Sequence, residues 1–222
     1  NLHGAAALDG KIYVMGGALR TADVYDPQSD QWQPLANMAS ERTGLAAAAA
    51  GGKIYAIGGE NSDGDRMATA EAFDPLLGAW AEVASMSVAR SHHAAAVIDG
   101  KIYAIGGDDA DGDDLDTVEA YDPQADSWQQ VASMPEARYR HAAISMGGKI
   151  YVTGGYGNGD FTNTVTVFDP QANTWTELAS MGSARGYHAC AGIGGKLYVF
   201  GGFSDSDELR MASVEAYDPI SN

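Results

Sequence analysis

Ala94-Ala95-Ala96-Val97-Ile98-Asp99-Gly100-Lys101-Ile102-Tyr103-Ala104-Ile105-Gly106-Gly107 reads as two short strands joined by a tight turn. Asp-Gly is a dipeptide that a two-residue hairpin demands, because both central residues take positive φ. The same turn recurs as Asp9-Gly10, Gly51-Gly52, Gly147-Gly148 and Gly194-Gly195. The closing Gly-Gly recurs at Gly16, Gly58, Gly106, Gly154 and Gly201, in steps of 42, 48, 48 and 47 residues. A period of this size marks a repeat architecture.

Outward from the hairpin, the rest of the module is equally regular. Asp-Pro follows at Asp26, Asp74, Asp122, Asp169 and Asp218, after an alternating stretch ending in an aromatic, as in Val118-Glu119-Ala120-Tyr121. Trp32, Trp80, Trp128 and Trp175 each stand six residues beyond that Asp and 26 before the next Gly-Gly. Only the segment from Gly-Gly to Asp-Pro changes length, from 10 to 17 residues. Each module therefore holds four short strands, the third ending at Asp-Pro and the fourth carrying the Trp. Ala46–Ala50 would be helix by propensity. Its place in the repeat is that of a first strand, and small residues suit strands crowding around one axis.

Four-stranded antiparallel modules of this length are blades of an all-β β-propeller. The order Arg, small strand, Gly-Lys-Ile-Tyr, Gly-Gly, Tyr-Asp-Pro, Trp, Met resembles the kelch repeat, in five copies over the whole chain. The copies divide at about 1–38, 39–86, 87–134, 135–181 and 182–222. The last lacks its outer strand, whose Trp would fall at position 224. Because kelch rings of six or seven blades are usual, the resemblance implies a fragment of a larger ring; a five-bladed ring short of one outer strand is the second reading. The exposed edge of the strand ending at Tyr217 invites contact with another chain.

Among the 222 residues, 13 Lys and Arg face 30 Asp and Glu, a net charge of −17. Such a surface excludes nucleic acid as a partner. The longest apolar run, Leu45 to Ala50, is far short of a membrane span. The chain opens on Asn1, with no signal-like segment, and so reads as a processed form or an excised piece. Its one cysteine, Cys190, forms no internal disulfide and leaves the compartment unassigned.

Residues repeated in every blade serve the blade. All five lysines begin second strands. Arg42, Arg90, Arg138 and Arg185 each follow a Met by four. Asp23, Glu71, Glu119 and Glu215 stand three before the Asp of Asp-Pro, with Thr166 the exception, and we expect them to pair with the arginines. His3, His93, His141 and His188 recur 13 residues before each Gly-Gly, where Leu45 breaks the series; adjacent blades hold them too far apart for one metal ion unless they face the axis, and the repeat reads as structural. Asp109, Asp111 and Asp113 alternate like a calcium loop, but Gly112 precedes the third acid, and turn formation explains the same residues. Glu60–Asp65 and Asp205–Glu208 are similar acidic loops. No cofactor or metal is assigned.

The variable positions point to function. In an up-and-down blade the loops joining fourth to first strands and second to third strands share one rim. Gly44, His92, Arg140 and Tyr187 sit there, each two after the recurrent Arg. Glu60, Asp108, Tyr156 and Phe203 join them, each directly after Gly-Gly. Aromatics and a cation in an acidic mouth suit a peptide or a sugar. Kelch interaction domains take their partner's peptide at this rim, and the resemblance implies a non-catalytic module binding a protein or peptide, with Arg140 as the sharpest contact. The alternative is a carbohydrate-binding domain or a carbohydrate-active enzyme of the mutarotase or oxidase kind. No catalytic residue is assigned: an enzyme would need His92, Arg140 and Glu60 to converge, and Cys190 lies in an Ala-Gly strand rather than an oxidase centre.

Overall fold

Ala46–Ala50 is a strand, its alternate alanines buried, so the repeat overrides helical propensity. The computed structural model describes residues 2–204 and 209–219. The acidic loop Asp205–Glu208 lies outside them. The first blade contains β1 (His3–Leu8), β2 (Lys11–Gly16), β3 (Ala22–Asp26) and β4 (Gln31–Pro34). The second contains β5 (Ala46–Ala50), β6 (Lys53–Ile57), β7 (Ala70–Asp74) and β8 (Ala79–Val83), and the third β9 (Ala94–Ile98), β10 (Lys101–Ile105), β11 (Val118–Asp122) and β12 (Ser127–Val131). In the fourth, β13 (Ala142–Met146) and β14 (Lys149–Thr153) precede a rim hairpin, β15 (Tyr156–Gly157) with β16 (Asp160–Phe161), and then β17 (Val165–Asp169) and β18 (Thr174–Leu178). The fifth has β19 (Ala189–Ile193), β20 (Lys196–Phe200), the short pair β21 (Phe203–Ser204) and β22 (Leu209–Arg210), and β23 (Val214–Tyr217).

Within each blade, neighbours in sequence pair antiparallel, in the order first, second, third, fourth strand. The fifth sheet has three strands among the described residues, β19-β20-β23. First strands are innermost: β1 packs on β5, β5 on β9, β9 on β13 and β13 on β19. No contact of that extent joins β19 to β1 among the described residues. The protein is thus a β-propeller of five blades whose core is divided into layers between blades. Tyr55, Ile57 and Met86 of one blade meet Ile102 and Tyr121 of the next, and Tyr103, Ile105 and Met134 meet Ile150 and Phe168 in the same way.

Polar contacts repeat with the blades. Each Trp lies beside the aromatic that ends the preceding strand, at 5.0–5.4 Å between ring centroids. Its indole N–H reaches back one blade: Trp80 donates to the Ala36 carbonyl (2.9 Å), Trp128 to Ala84 (2.7 Å) and Trp175 to Ala132 (2.9 Å). Trp32, in the first blade, is 56% exposed. The lysines are more than solvated turn residues, because each pairs with the Asp of its own Asp-Pro at 3.2–3.4 Å.

The recurrent arginines are completely buried, and three meet the expected acid: Arg42 with Glu71, Arg90 with Glu119, and Arg185 with Glu215. The acid's other oxygen accepts the N–H directly after the linker Met, from Ala39, Ser87 or Gly182. The fourth blade departs at both ends of this clamp. Pro135 occupies the donor position and has no N–H, and Thr166 replaces the acid. Arg138 turns instead to Glu136 and the Thr164 hydroxyl.

Candidate functional site: the axial mouth

Leu2, Gly44, His92, Arg140 and Tyr187 occupy equivalent positions in successive blades, and one chain of backbone hydrogen bonds links them. Gly44 N–H donates to the Leu2 carbonyl (3.0 Å), His92 to Gly44 (2.8 Å), Arg140 to His92 (2.9 Å) and Tyr187 to Arg140 (2.9 Å). The last four hold left-handed backbone, with φ of 62°, 51°, 56° and 55°. That conformation is easy for glycine and costs about 1 kcal/mol or more for other residues, which keep it only where surrounding structure imposes it. All five line a cavity of about 210 Å³ at the axis, with Leu45, His93, His141 and His188 deeper among its walls.

The residues after Gly-Gly stand one step farther out. Each forms a β-bridge with the residue that follows the recurrent Arg: Glu60 with Thr43, Asp108 with Ser91, Tyr156 with Tyr139, and Phe203 with Gly186. The two variable sets are therefore adjacent layers of one rim, and only the first lines the cavity. Glu60 is engaged by Arg66 at 3.3 Å and does not line the mouth. The trio that an enzyme reading requires is not brought together there.

Asp108 is a hub. Its Oδ2 accepts from Arg66 Nε (3.0 Å) and Nη2 (2.6 Å), and its Oδ1 from Ser91 Oγ (2.9 Å) with His92 Nδ1 also at 2.9 Å. Burial alone would raise its pKa, but the hydrogen bonds from His92, Arg66 and Ser91 pull it down to about 2. Asp108 is fully engaged by these three residues, and no hydrogen bond or ion pair joins it to Arg140. Arg140 lies between two aromatic faces instead, its guanidinium carbon 4.8 Å from the Tyr139 centroid and 4.3 Å from that of Tyr187. Such contacts stabilise a cation without neutralising it. Among the described residues no carboxylate pairs with Arg140, and Tyr187 is 44% exposed. A file of rings continues from His92 through Tyr139, Tyr156 and Phe161 to Phe203, with centroids 5.1–6.2 Å apart.

Module spacing does not single out Arg66, Ser91, Tyr139 or Phe161. Arg66 carries the one available signal, being a cation off the repeat inside an acidic loop. The recurrent histidines seat the inner wall. His93, His141 and His188 press Cε1 toward Gly58, Gly106 and Gly154 of the preceding blade, where a Cβ would lie within 2.8–2.9 Å. Burial and the neighbouring arginines lower their pKa, for His141 to about 3 and for His188 to about 4. His3 is exposed. Asp109 Oδ1 accepts the N–H groups of Asp111 and Asp113 at 3.0 Å, a turn like the one Asn61 builds for Asp63 and Asp65. Burial pushes the Cys190 thiol up to about 12, in keeping with its place in the core between the last two blades.

The family model described as the KLHDC2/KLHL20/DRC7 Kelch-repeats domain matches residues 2–202, and the Kelch motif model matches residues 184–222. The chain belongs to the kelch-repeat family. This kelch propeller is 36% identical over 70 residues to the influenza virus NS1A-binding protein homolog of Mus musculus, a stretch covering 29% of this chain and 11% of that protein. It is 38% identical over 71 residues to Kelch-like protein 31 of Danio rerio, covering 27% and 11%. The matched stretches span about a tenth of these curated relatives. The solved structure of YjhT superposes with a TM-score of 0.81 at 20% identity, covering 93% of this chain and 74% of that one, a likeness of fold.

Proposed function

We propose that this kelch propeller is a non-catalytic module that binds a protein or peptide partner at the axial mouth, with an acidic group of the partner on Arg140. The observation that carries this reading is the placement of His92, Arg140 and Tyr187 on strained left-handed backbone, at positions whose identity changes in every blade. Arg140 supports it further, as a cation braced by two tyrosine rings and unneutralised in a protein of net charge −17. Electrostatics then favours a locally acidic group over a globally acidic partner, which the rest of the surface repels. A relative named for binding another protein lends the class its weight.

His92, Arg140, Tyr187, Tyr156 and Phe203 are the proposed contacts, with Asp108 and Glu60 supporting from behind. The ring file from Tyr139 to Phe203 favours one second reading, a sugar stacked along the rim. A screen of immobilised acidic peptides and oligosaccharides against the wild type and Arg140→Ala separates the two. The proposal expects acidic peptides to be retained and to be released by the substitution, with ~1–3 kcal/mol lost. Retention of neutral sugars alone, unaffected at Arg140, would replace it with the second reading.

A further inference from the structure

The geometry points to Asp108 as a positioning residue that fixes the tautomer of His92, so that the mouth offers a hydrogen-bond acceptor, His92 Nε2, beside the cation of Arg140. The inference rests on the peptide reading and deepens it: the partner must bring a carboxylate together with a neighbouring N–H.

The proton assignment follows from three mutual contacts. Ser91 Oγ, His92 Nδ1 and Asp108 Oδ1 form a triangle with every side 2.9 Å. Ser91 has one proton to give. If Nδ1 were bare, the Ser91 hydroxyl could serve only one of its two neighbours, and a nitrogen lone pair would face a carboxylate oxygen at hydrogen-bond distance. With the proton on Nδ1, both Nδ1–H and Oγ–H point at Asp108, and the lone pairs of Ser91 Oγ face a ring N–H rather than a bare nitrogen. A carboxylate partner at Nδ1 commonly sets the tautomer in this way. Arg66, on the far oxygen of Asp108, keeps that carboxylate charged and in place.

In the neutral ring Nε2 then carries the lone pair. No described residue bonds it. It lies over Gly44, the glycine of the variable series, where an added Cβ would come within 3.2 Å of both Nε2 and Cδ2. Glycine there keeps the acceptor uncovered. His92 and Arg140 are neighbours in the backbone chain around the axis, and both line the same cavity. A cation and an acceptor side by side match a carboxylate and an amide N–H carried on one residue.

Two measurements test this. In protein labelled with ¹⁵N-histidine, two-bond ¹H–¹⁵N spectra above neutral pH should show His92 as Nδ1–H with a bare Nε2. Asp108→Asn should redistribute that proton, whereas Ser91→Ala should not. Finding Nε2–H in the wild type would overturn the inference. The probe ligands are N-acetylglutamate N,N-dimethylamide, whose one amide N–H is the glutamyl one, and its analogue methylated on that nitrogen, which has no N–H. The first should shift both His92 and Arg140 resonances, and the analogue should bind about tenfold more weakly, one charge-free hydrogen bond being lost. Equal affinity for both would remove His92 as a reading atom while leaving Arg140 as an anion site. If neither probe perturbs Arg140, the peptide reading itself falls, and the inference with it.

Discussion

Arg138 and Arg140 are two residues apart in one loop, yet they belong to different parts of the molecule. The first has a counterpart in each linker to the next blade, Arg42, Arg90 and Arg185, and every one is buried with its hydrogen bonds directed into the blade that follows. The second corresponds to Gly44, His92 and Tyr187, and these line the axial cavity. A repeated scaffold thus separates its duties by position: what every blade needs is identical, and what one blade alone carries is available for recognition.

The largest expected break between the two layers comes from acid. His93, His141 and His188 belong to the repeated layer and are held below their ordinary pKa. Each therefore contributes full stability above about pH 6.5 and loses it as pH falls toward its folded value. By pH 5 the loss is ~2 kcal/mol each for His141 and His188, ~4 kcal/mol together, and His93 adds to it in the same direction. Asp108 is held down in the opposite sense of charge, so its contribution is intact above about pH 4 and is lost only below that. Thermal melts from pH 8 to 4 should show the early decline, and His141→Leu, which copies the residue already present at Leu45, should flatten it. An unchanged slope would place the acid sensitivity elsewhere.

Next in size is removal of a buried arginine. Arg90→Met strands Glu119 in the interior and should cost ~3–5 kcal/mol in denaturant unfolding. Arg138→Met should cost less, because the carboxylate it leaves behind, on Glu136, has a side chain 47% exposed and can turn to water. Equal losses would show that burial of the guanidinium, not the acid, sets the scale.

The fourth blade sharpens the comparison within the repeated layer. Thr166→Glu alone gives Arg138 an acid but leaves one oxygen facing Pro135, which has no N–H to offer. Pro135→Ser alone supplies a donor without an acceptor. Together they restore the clamp, and the double-mutant cycle should give a favourable coupling of ~1–2 kcal/mol. Additive effects would mean that the proline and the threonine departed from the pattern independently.

The smallest effect on stability is expected at the mouth. Arg140→Gly relieves left-handed strain of about 1 kcal/mol and loses two cation–π contacts of similar size, so the melting temperature should hardly move. Peptide binding should nevertheless be lost. A large drop in melting temperature with binding intact would transfer Arg140 to the structural layer.

These contrasts also explain what could be read beforehand. The blades were legible because turn dipeptides, Gly-Gly and Trp recur in phase, and strand identity at Ala46–Ala50 followed from phase alone. The Arg–acid clamp was legible as two series of equal spacing. The hub at Asp108 was not, because Arg66 joins it across 42 residues of sequence from a loop whose length is free to vary. Left-handed backbone at His92, Arg140 and Tyr187 was equally hidden, since only Gly44 announces it by residue type.

The tryptophan contacts give the molecule a direction in time. In each linked pair the indole belongs to the later blade and the accepting carbonyl to the earlier one. A ribosome delivers the N-terminal blade first. The blades of Trp80, Trp128 and Trp175 therefore each meet a receptor carbonyl that already exists when their own indole is made. The order of synthesis and the order of docking coincide around the axis.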